Sequence, residues 1–308
     1  MRKKALLHKS WGLLKATFKE FDEDNAIKLS ASLSYYTIFS LPPLSIIILY
    51  ICGIFFGKEA VNGQFFGQIN GLVGNDAATQ IQETIKNIQL SDSNVFAAVF
   101  GGIMLLIGAS GVFAEIQSSI NFIWGLKAKP NKGVMKFIKN RLMSFSMIAS
   151  VGFLLLVSLT VNTVMDLLNA RLVLYFPDAT VYLFYILNII ILFASTTILF
   201  SIIFKTLPDG DIAWKDALIG SSFTSIFFMI GKFAIGFYLG NSTVATVYGA
   251  AGSVVIILVW VYYSAIILYF GAEFTKVYAR MYGKKIIPND YAVTIQKEIF
   301  EIEEAENK

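Results

Sequence analysis

The chain has 308 residues, of which 56% are hydrophobic and 15% charged, with a mean hydropathy of +0.65 and a net charge of +4. A soluble domain of this length carries roughly 25% charged residues, so the composition fits neither a soluble globular protein nor a disordered chain. One cysteine, Cys52, and one histidine, His8, exclude a disulfide-stabilised secreted domain and a Cys/His zinc site within one chain. With so few basic residues, we expect no nucleic-acid partner and no metal site.

Residues 1–30 are predicted to form an amphipathic, basic helical segment. Its apolar residues recur at helical spacings of three and four, at Leu7, Trp11, Leu14, Phe18 and Phe21. Lysines occupy other positions around the same helix. Such a segment either lies along the cytoplasmic surface of the membrane or packs on the cytoplasmic ends of a helical bundle, and both alternatives stay open.

Six apolar runs follow, and each is long enough to cross a hydrocarbon core of about 30 Å. None alternates polar and apolar residues as a barrel strand does, so each is predicted to be a helix. The expected fold is an all-α integral membrane protein, a bundle of six transmembrane helices over residues 31–275. Short external helices are predicted between spans one and two, and a charged cytoplasmic tail with a fraying helix over residues 276–308. The spans are expected at about 31–56, 95–124, 142–165, 181–204, 217–239 and 247–274.

The distribution of basic residues predicts the orientation of the bundle. Of the 25 Lys and Arg residues, 21 lie in the N-terminal segment, in the connections after spans two and four, or in the C-terminal tail. Three lie on the opposite side, at Lys58, Lys86 and Arg171. Since cytoplasmic connections carry the excess of Lys and Arg, both termini are predicted to be cytoplasmic. Lys232, inside span five, belongs to neither side.

Four polar residues are predicted to lie at depth in the outer half of the membrane. Asn162 and Asp166 share one face of span three, and Asn188 enters span four about 12 Å from the outside. Lys232 lies about 10 Å below the outer end of span five. Ionisable groups at depth usually face a bundle interior or a cavity, so Lys232 and Asp166 form a candidate ion pair. In the alternative, Lys232 snorkels outwards and Asp166 is an ordinary interfacial residue.

A second polar set is predicted in the inner half. Glu115 precedes Trp124 by nine residues, so Glu115 lies well inside the membrane if Trp124 marks the cytoplasmic interface. Glu273 alone is explained as a helix-end charge beside Lys276. As a group, the set is expected to line a vestibule open to the cytoplasm. Its members are Tyr35, Tyr36, Glu115, Gln117, Ser118, Asn121 and Glu273.

Two further features lie between the polar sets. Pro42-Pro43 lies about 17 Å into span one, and two successive prolines are predicted to interrupt that helix. Close approach of neighbouring helices is predicted at four glycines, Gly108, Gly111, Gly249 and Gly252. Tight packing explains these glycines by itself, whereas a broken helix beside polar groups is typical of a midplane site in a carrier.

Four segments carry a resemblance to a known family. They are residues 31–44 (ASLSYYTIFSLPPL), 119–125 (SINFIWG), 207–210 (LPDG) with Trp214, and 248–273, from YGAAGS through Trp260 to GAE. Through them the chain resembles the YihY family, also called the virulence factor BrkB family, of bacterial inner-membrane proteins. The resemblance implies six membrane helices with cytoplasmic ends and no settled activity. Some members carry an old ribonuclease label, which this sequence does not support because it has no cluster of metal-binding carboxylates or histidines in a soluble domain.

The polar residues at depth favour transport over the other functions open to such a bundle. Two polar sets flanking a Pro-Pro break favour a transporter or translocase of an anionic or amphiphilic envelope-related substrate, so the expected partners are the bilayer and a lipid or other amphiphile. A non-transporting envelope scaffold or assembly factor is the alternative. A membrane-embedded hydrolase is disfavoured because no nucleophile and base can be paired, so we expect neither enzyme activity nor a cofactor.

Overall fold

The computed structural model describes residues 2–56, 95–129, 177–240 and 252–295, together with residues 66, 67, 79, 82 and 83. Helices make up most of this part of the chain, and short strands follow three of them. The helices are α1 (Arg2–Glu23), α2 (Ala26–Phe56), α3 (Val95–Ile123), α4 (Pro177–Thr206), α5 (Trp214–Gly240) and α6 (Gly252–Tyr282). The strands are β1 (Leu126–Ala128), β2 (Gly210–Asp211), β3 (Ile287–Pro288) and β4 (Ala292–Thr294).

Helices α2 to α6 coincide with predicted spans one, two, four, five and six. The ends differ: α2 begins earlier, at Ala26, and α6 continues past its predicted end to Tyr282. Three stretches of the described chain are long and apolar enough to cross a membrane: Ile186–Thr206, Trp214–Ile235 and Val254–Tyr282. The third predicted span and nearly all of the predicted external helices lie outside the described residues, so the count of six spans stays a prediction.

Among the described residues, the packed core lies at the end of the bundle that the basic residues predict to be cytoplasmic. Helix α2 packs against α3 and α6, α5 packs against α4 and α6, and α1 lies across α6. The buried residues Ile120 and Phe204 come from the last turns of α3 and α4, Tyr269 from the C-terminal half of α6, and Leu207 and Ile212 from the connection between α4 and α5. Burial of these side chains fixes the helix ends relative to one another.

Helix α1 lies where the helical spacing predicts a helix. Its buried residues are Leu13, Thr17 and Phe21, and they face α6. Of the apolar stripe, Phe21 is buried, Leu14 packs on the same side, and Phe18 contacts the Phe270 ring although it is 62% exposed. Trp11 is 68% exposed. Thr17 donates its hydroxyl to the Leu13 carbonyl, which lets a polar residue occupy the buried face.

Helix α2 continues through Pro42 and Pro43, so the predicted interruption is not found. A Cβ built on Gly108 of α3 would lie 2.9 Å from Pro43 Cγ, and one built on Gly111 would lie 2.9 Å from Ser40 Oγ. The glycines therefore bring α3 directly against the proline-containing stretch of α2. Neighbouring helices of this kind allow a membrane helix to tolerate the backbone hydrogen bonds that proline removes.

Between Gly283 and Ile295 the chain is extended, which corrects the prediction of a helix for these residues, while the rest of the predicted tail lies outside the described residues. Strand β4 pairs antiparallel with β1, and β3 pairs antiparallel with β2, giving two sheets of two strands each. Helix α6 ends at Tyr282, and a Cβ added to the next residue, Gly283, would lie 2.3 Å from an Asp216 carboxylate oxygen. The same carboxylate accepts the Lys284 backbone N–H at 2.9 Å. The C-terminal segment is thereby attached to the loops after α3 and α4.

Candidate functional site

Asp209 is the centre of a buried polar cluster at the end of α3. It follows Pro208 in the turn between α4 and β2, and its side chain is fully buried. Gln117 Nε2 donates to one carboxylate oxygen and Asn121 Nδ2 to the other, each at 3.0 Å. Because Gln117 and Asn121 are one helical turn apart, both amides reach the same carboxylate. A buried carboxylate requires this kind of hydrogen bonding to offset its desolvation.

Hydrogen bonds of the Asp209 backbone strengthen the cluster and extend it to the C-terminal segment. Asn121 Oδ1 accepts the Asp209 backbone N–H at 2.7 Å, so Asn121 contacts Asp209 twice. The Asp209 carbonyl accepts the Asn289 backbone N–H at 2.9 Å. The cluster thus joins α3, the turn after α4 and the C-terminal segment. Sequence reasoning placed Asn121 in the inner polar set but missed Asp209, because a Pro-Asp-Gly run is explained by turn formation alone.

A groove of about 840 Å³ runs beside the cluster, along the last turns of α3 and over β1. Its volume is within the range of roughly 300–1,000 Å³ that is typical of ligand sites. Gln117, Ser118 and Asn121 contribute its polar lining, and Lys127 is an exposed cation at its edge. The other lining residues are Glu23, Ala114, Phe122, Gly125, Leu126, Ala128 and Ile295.

Four of the seven residues of the inner polar set do not line this groove. Tyr35 and Tyr36 are exposed on α2, where Tyr35 contacts Tyr36 and Phe39 through its ring. Glu115 is half-buried on α3. Glu273 is fully buried in α6 and belongs to a separate ionic cluster. The groove therefore brings together Gln117, Ser118 and Asn121 alone.

The ionic cluster holds α1 against α6. Lys276 Nζ lies 2.9 Å from Glu20, 3.2 Å from Asp24 and 3.1 Å from Glu273. Arg280 pairs with Glu20 as well. Glu273 lies beside Lys276 as expected, but α6 continues to Tyr282, so Glu273 is not a helix-end charge. Its burial shows that the pair also takes part in helix packing.

The outer polar residues stay largely untested by the structure. Asn162 and Asp166 lie outside the described residues, so their pairing with Lys232 stays a prediction. Asn188 is exposed on α4, Lys232 is half-buried on α5, and neither lines the groove. Gly249 also lies outside the described part of the chain, and Gly252 is the first residue of α6.

Trp124, whose place at the cytoplasmic interface was a condition for the depth of Glu115, is buried within the protein. It is 6% exposed, and its indole Nε1 donates to the Ala272 carbonyl of α6 at 3.1 Å. A buried indole normally finds such an acceptor. Trp124 therefore connects the end of α3 to α6.

Two threonines and two glycines form a reciprocal contact between α5 and α6. A Cβ added to Gly220 would lie 1.9 Å from Thr275 Oγ1, and one added to Gly271 would lie 1.9 Å from Thr224 Oγ1. Each threonine hydroxyl donates to the carbonyl of the glycine four residues before it, at 2.8 Å for Thr224 and 2.6 Å for Thr275. Small residues at this spacing let membrane helices approach closely, and the spacing was the signal available in the sequence.

Comparison with known proteins identifies the family. The sequence profile described as Virulence factor BrkB matches residues 17–292. The chain belongs to the BrkB family. The match includes Gln117, Asn121 and Asp209 and every described residue of the groove except Ile295. Within the described residues of this BrkB protein, no group of three or more His, Cys, Asp or Glu side chains is placed to hold a metal ion.

Curated proteins similar to this BrkB protein carry the name UPF0761 membrane protein. A UPF0761 membrane protein of Saccharophagus degradans is 27% identical over 263 residues, covering 85% of this chain and 58% of the relative. One of Methylibium petroleiphilum is 28% identical over 266 residues, covering 84% and 60%. The chain thus spans about three-fifths of the length of these curated relatives. No solved structure matches the chain.

Proposed function

We propose that this protein moves an anionic or amphiphilic, envelope-related substrate across the bacterial inner membrane, with both of its termini in the cytoplasm. The groove beside α3 is its cytoplasmic opening. The observation that carries this proposal is the mixed lining of the groove, which combines apolar side chains with two amides, a hydroxyl, one exposed lysine and the Glu23 carboxylate, which pairs with Lys19. The proposal assigns no catalytic role to any residue.

The lining suits a molecule with one charged end and one apolar end. Phe122, Leu126 and Ile295 offer apolar surface, and Lys127 offers a positive charge at the edge. Mostly apolar pockets with a few placed polar groups are typical of ligand sites, and a lysine favours an anionic group such as a phosphate. The orientation predicted from the basic residues places this opening on the cytoplasmic side.

A lipid-flux assay tests the proposal. The purified protein is reconstituted in vesicles of phosphatidylcholine and phosphatidylglycerol that contain NBD-labelled phosphatidylglycerol, and dithionite reports exchange between the leaflets. Ser118→Trp fills the groove from an exposed position and is expected to abolish the protein-dependent flux. Ile107→Trp, exposed on the same helix and outside the groove lining, is the matched control.

The outcomes of this assay are distinct. Loss of flux in Ser118→Trp but not in Ile107→Trp supports the groove as the path. Equal flux in both variants contradicts the assignment of the groove. Absence of protein-dependent flux with this probe contradicts translocation of an anionic phospholipid.

A non-transporting scaffold is the second candidate. It is favoured by the ionic cluster, in which Lys276 contacts Glu20, Asp24 and Glu273 and so holds α1 on α6. In that function the buried polar groups keep the cytoplasmic end rigid for a partner. A scaffold gives no flux in the vesicle assay, whereas a translocase does.

A further inference from the structure

Helix α1 crosses α6 with two different sides turned along the α6 axis. On one side, the centroid of the Phe18 ring lies 4.8 Å from that of the Phe270 ring. On the other side, Glu20 pairs with Arg280. Phe270 and Arg280 are ten residues apart, or about 15 Å along α6, which leaves room for one crossing helix of about 10 Å diameter. The Phe18 side of α1 therefore faces the middle of the bundle, and the Glu20 side faces the C-terminal end of α6.

The level of this crossing coincides with the edge of the hydrocarbon core. The apolar stretch Val254–Tyr282 has 29 residues, whereas about 20 residues cross a core of about 30 Å. Counted from Val254, the core ends close to Glu273. Phe270 lies inside this limit and Arg280 outside it. Helix α1 thus lies in the plane of the interface, with its Phe18 side towards the acyl chains.

The side of α1 that faces the acyl chains is aromatic and exposed. Trp11 and Phe18 are seven residues apart, nearly two helical turns, so both lie on this side. The Phe270 ring that contacts Phe18 also lies 5.9 Å from the Phe227 ring of α5, and Phe227 and Ile230 are exposed apolar residues of a candidate span. Because exposed apolar side chains of a spanning helix face lipid, the aromatic side of α1 continues the lipid-facing surface of α5.

Two lysines border the aromatic side where it turns away from α6. Thr17 and Lys19 flank Phe18 in the sequence, so they lie about 100° to either side of it, Thr17 buried against α6 and Lys19 exposed. Lys15, one turn before Lys19, is exposed on the same side. Lysine stems cover apolar surface while their ammonium groups reach the headgroups. Lys19 also lies 3.4 Å from Glu23, in an exposed ion pair that contributes little free energy.

We propose that Trp11, Lys15, Phe18 and Lys19 form a membrane-docking surface that binds anionic phospholipid in the leaflet predicted to be cytoplasmic. The aromatic rings lie among the upper acyl chains, and the two ammonium groups bind lipid phosphates. The exposed acid Asp22 follows Phe18 by one turn and limits the surface to residues 11–19.

This docking surface answers the question that the amphipathic pattern left open, because α1 packs on the bundle through one side and meets the membrane through another. It lies outside the groove, except that Lys19 pairs with the groove residue Glu23, and it requires no transport.

Fluorescence quenching measures the position of the aromatic side. In a Cys52→Ser background, Trp11→Cys is labelled with an NBD maleimide, and the full chain is reconstituted in vesicles of phosphatidylcholine and phosphatidylglycerol. A nitroxide on the lipid acyl chain should quench this label, whereas iodide on both sides of the vesicle membrane should not. Lys9→Cys is the matched control, since Lys9 is exposed on the same helix about 160° around from Trp11. Its label should be quenched by iodide and not by the nitroxide.

The same label measures headgroup selectivity. The nitroxide is carried either by phosphatidylglycerol or by phosphatidylcholine with identical acyl chains, and the two quenching curves give the ratio of local lipid affinities. Lys15→Gln should lower the preference for phosphatidylglycerol about fivefold, the factor that ~1 kcal/mol for one lysine near anionic lipid gives. Lys9→Gln, on the far side of the helix, should leave the ratio unchanged.

Each other outcome overturns the proposal. Iodide quenching at Trp11→Cys equal to that at Lys9→Cys shows a face in water, and protection from both quenchers shows a face covered by a protein partner or a second copy. A headgroup ratio that Lys15→Gln does not change overturns the binding of anionic lipid. A measurement without cysteines guards against a variant that does not fold: brominated lipid should quench tryptophan emission less in Trp11→Phe than in the unaltered protein, and equal quenching overturns docking.

Discussion

Thr275 of α6 lies directly over Gly220 of α5, so close that a Cβ on the glycine would be 1.9 Å from the threonine hydroxyl oxygen. The hydroxyl is held in place by its hydrogen bond to the Gly271 carbonyl. Gly271 is in turn covered by Thr224 of α5. The two helices therefore cannot separate at one of these contacts without disturbing the other.

Gly220→Ala is expected to destabilise the protein by about 1–3 kcal/mol, because overpacking a close contact forces backbone shifts. Gly271→Ala should cost a similar amount. Thermal unfolding in detergent measures both. Gly12→Ala is the matched control, since that glycine has open space and alanine is the better helix former, and it should be neutral or stabilising. A neutral Gly220→Ala would contradict the close contact.

Asp209→Asn is expected to cost about 1–3 kcal/mol, the range for leaving a buried polar group without a proper partner. The substitution preserves size but presents an amide NH₂ to one of the two donors, Gln117 or Asn121, that now bond the carboxylate. Asp211→Asn changes a neighbouring carboxylate that is exposed and paired with Lys205, so it should cost less than about 1 kcal/mol. Denaturant unfolding of both variants gives the comparison, and equal losses would place Asp209 outside the core.

Lys276→Met should loosen α1. Removal of the ammonium group leaves Glu273 buried beside Asp24 and Glu20 without their shared cation. The cost is expected to be on the order of 2 kcal/mol, since the pair is mostly but not wholly desolvated. Hydrogen exchange in α1 should accelerate. Arg280→Met removes a cation whose side chain is 52% exposed and should have the smaller effect. A larger effect of Arg280→Met than of Lys276→Met would show that Lys276 does not organise the ionic cluster.

Trp124→Phe should cost about 1 kcal/mol through loss of the hydrogen bond to the Ala272 carbonyl. Trp214→Phe is the comparison, because Trp214 is 55% exposed and its ring centroid lies 5.8 Å from the Lys205 ammonium. Melting temperatures in detergent rank the two. The buried indole should also contribute the bluer fluorescence, so Trp124→Phe should shift the emission maximum of the protein to the red, and an unchanged maximum would argue against burial.

The helices could be predicted from the sequence, whereas the contacts between them could not. Apolar runs identify α2 to α6 because a membrane helix is apolar along its whole length. The strands β1 to β4 have two or three residues each and partners far along the chain, so they carry no periodic signal. The prediction of an interrupted helix at Pro42-Pro43 was wrong, because helix propensity is a local property and does not include the packing of Gly108 against Pro43.

The residues of the candidate site also differ in whether the sequence could predict them. Polar residues within an apolar run, such as Gln117, Ser118 and Asn121, stand out in the sequence, and they do line the groove. Asp209 and Lys127 lie in connections, where charged residues are ordinary, so nothing local distinguished them. Trp124 was assigned to the interface because a tryptophan at the end of a span has the same sequence context whether it is buried or exposed.

The pairing of β1 with β4 imposes an order of events during biosynthesis. Leu126 lies opposite Thr294, so β1 is synthesised long before its partner exists. Until then its backbone groups lack these partners, and contacts of such long sequence separation form late in folding. Insertion of the helices and closure of this end of the bundle are therefore separate steps. The second begins only after residues 287–294 have been synthesised, and a nascent protein halted before Ile287 would be inserted but open.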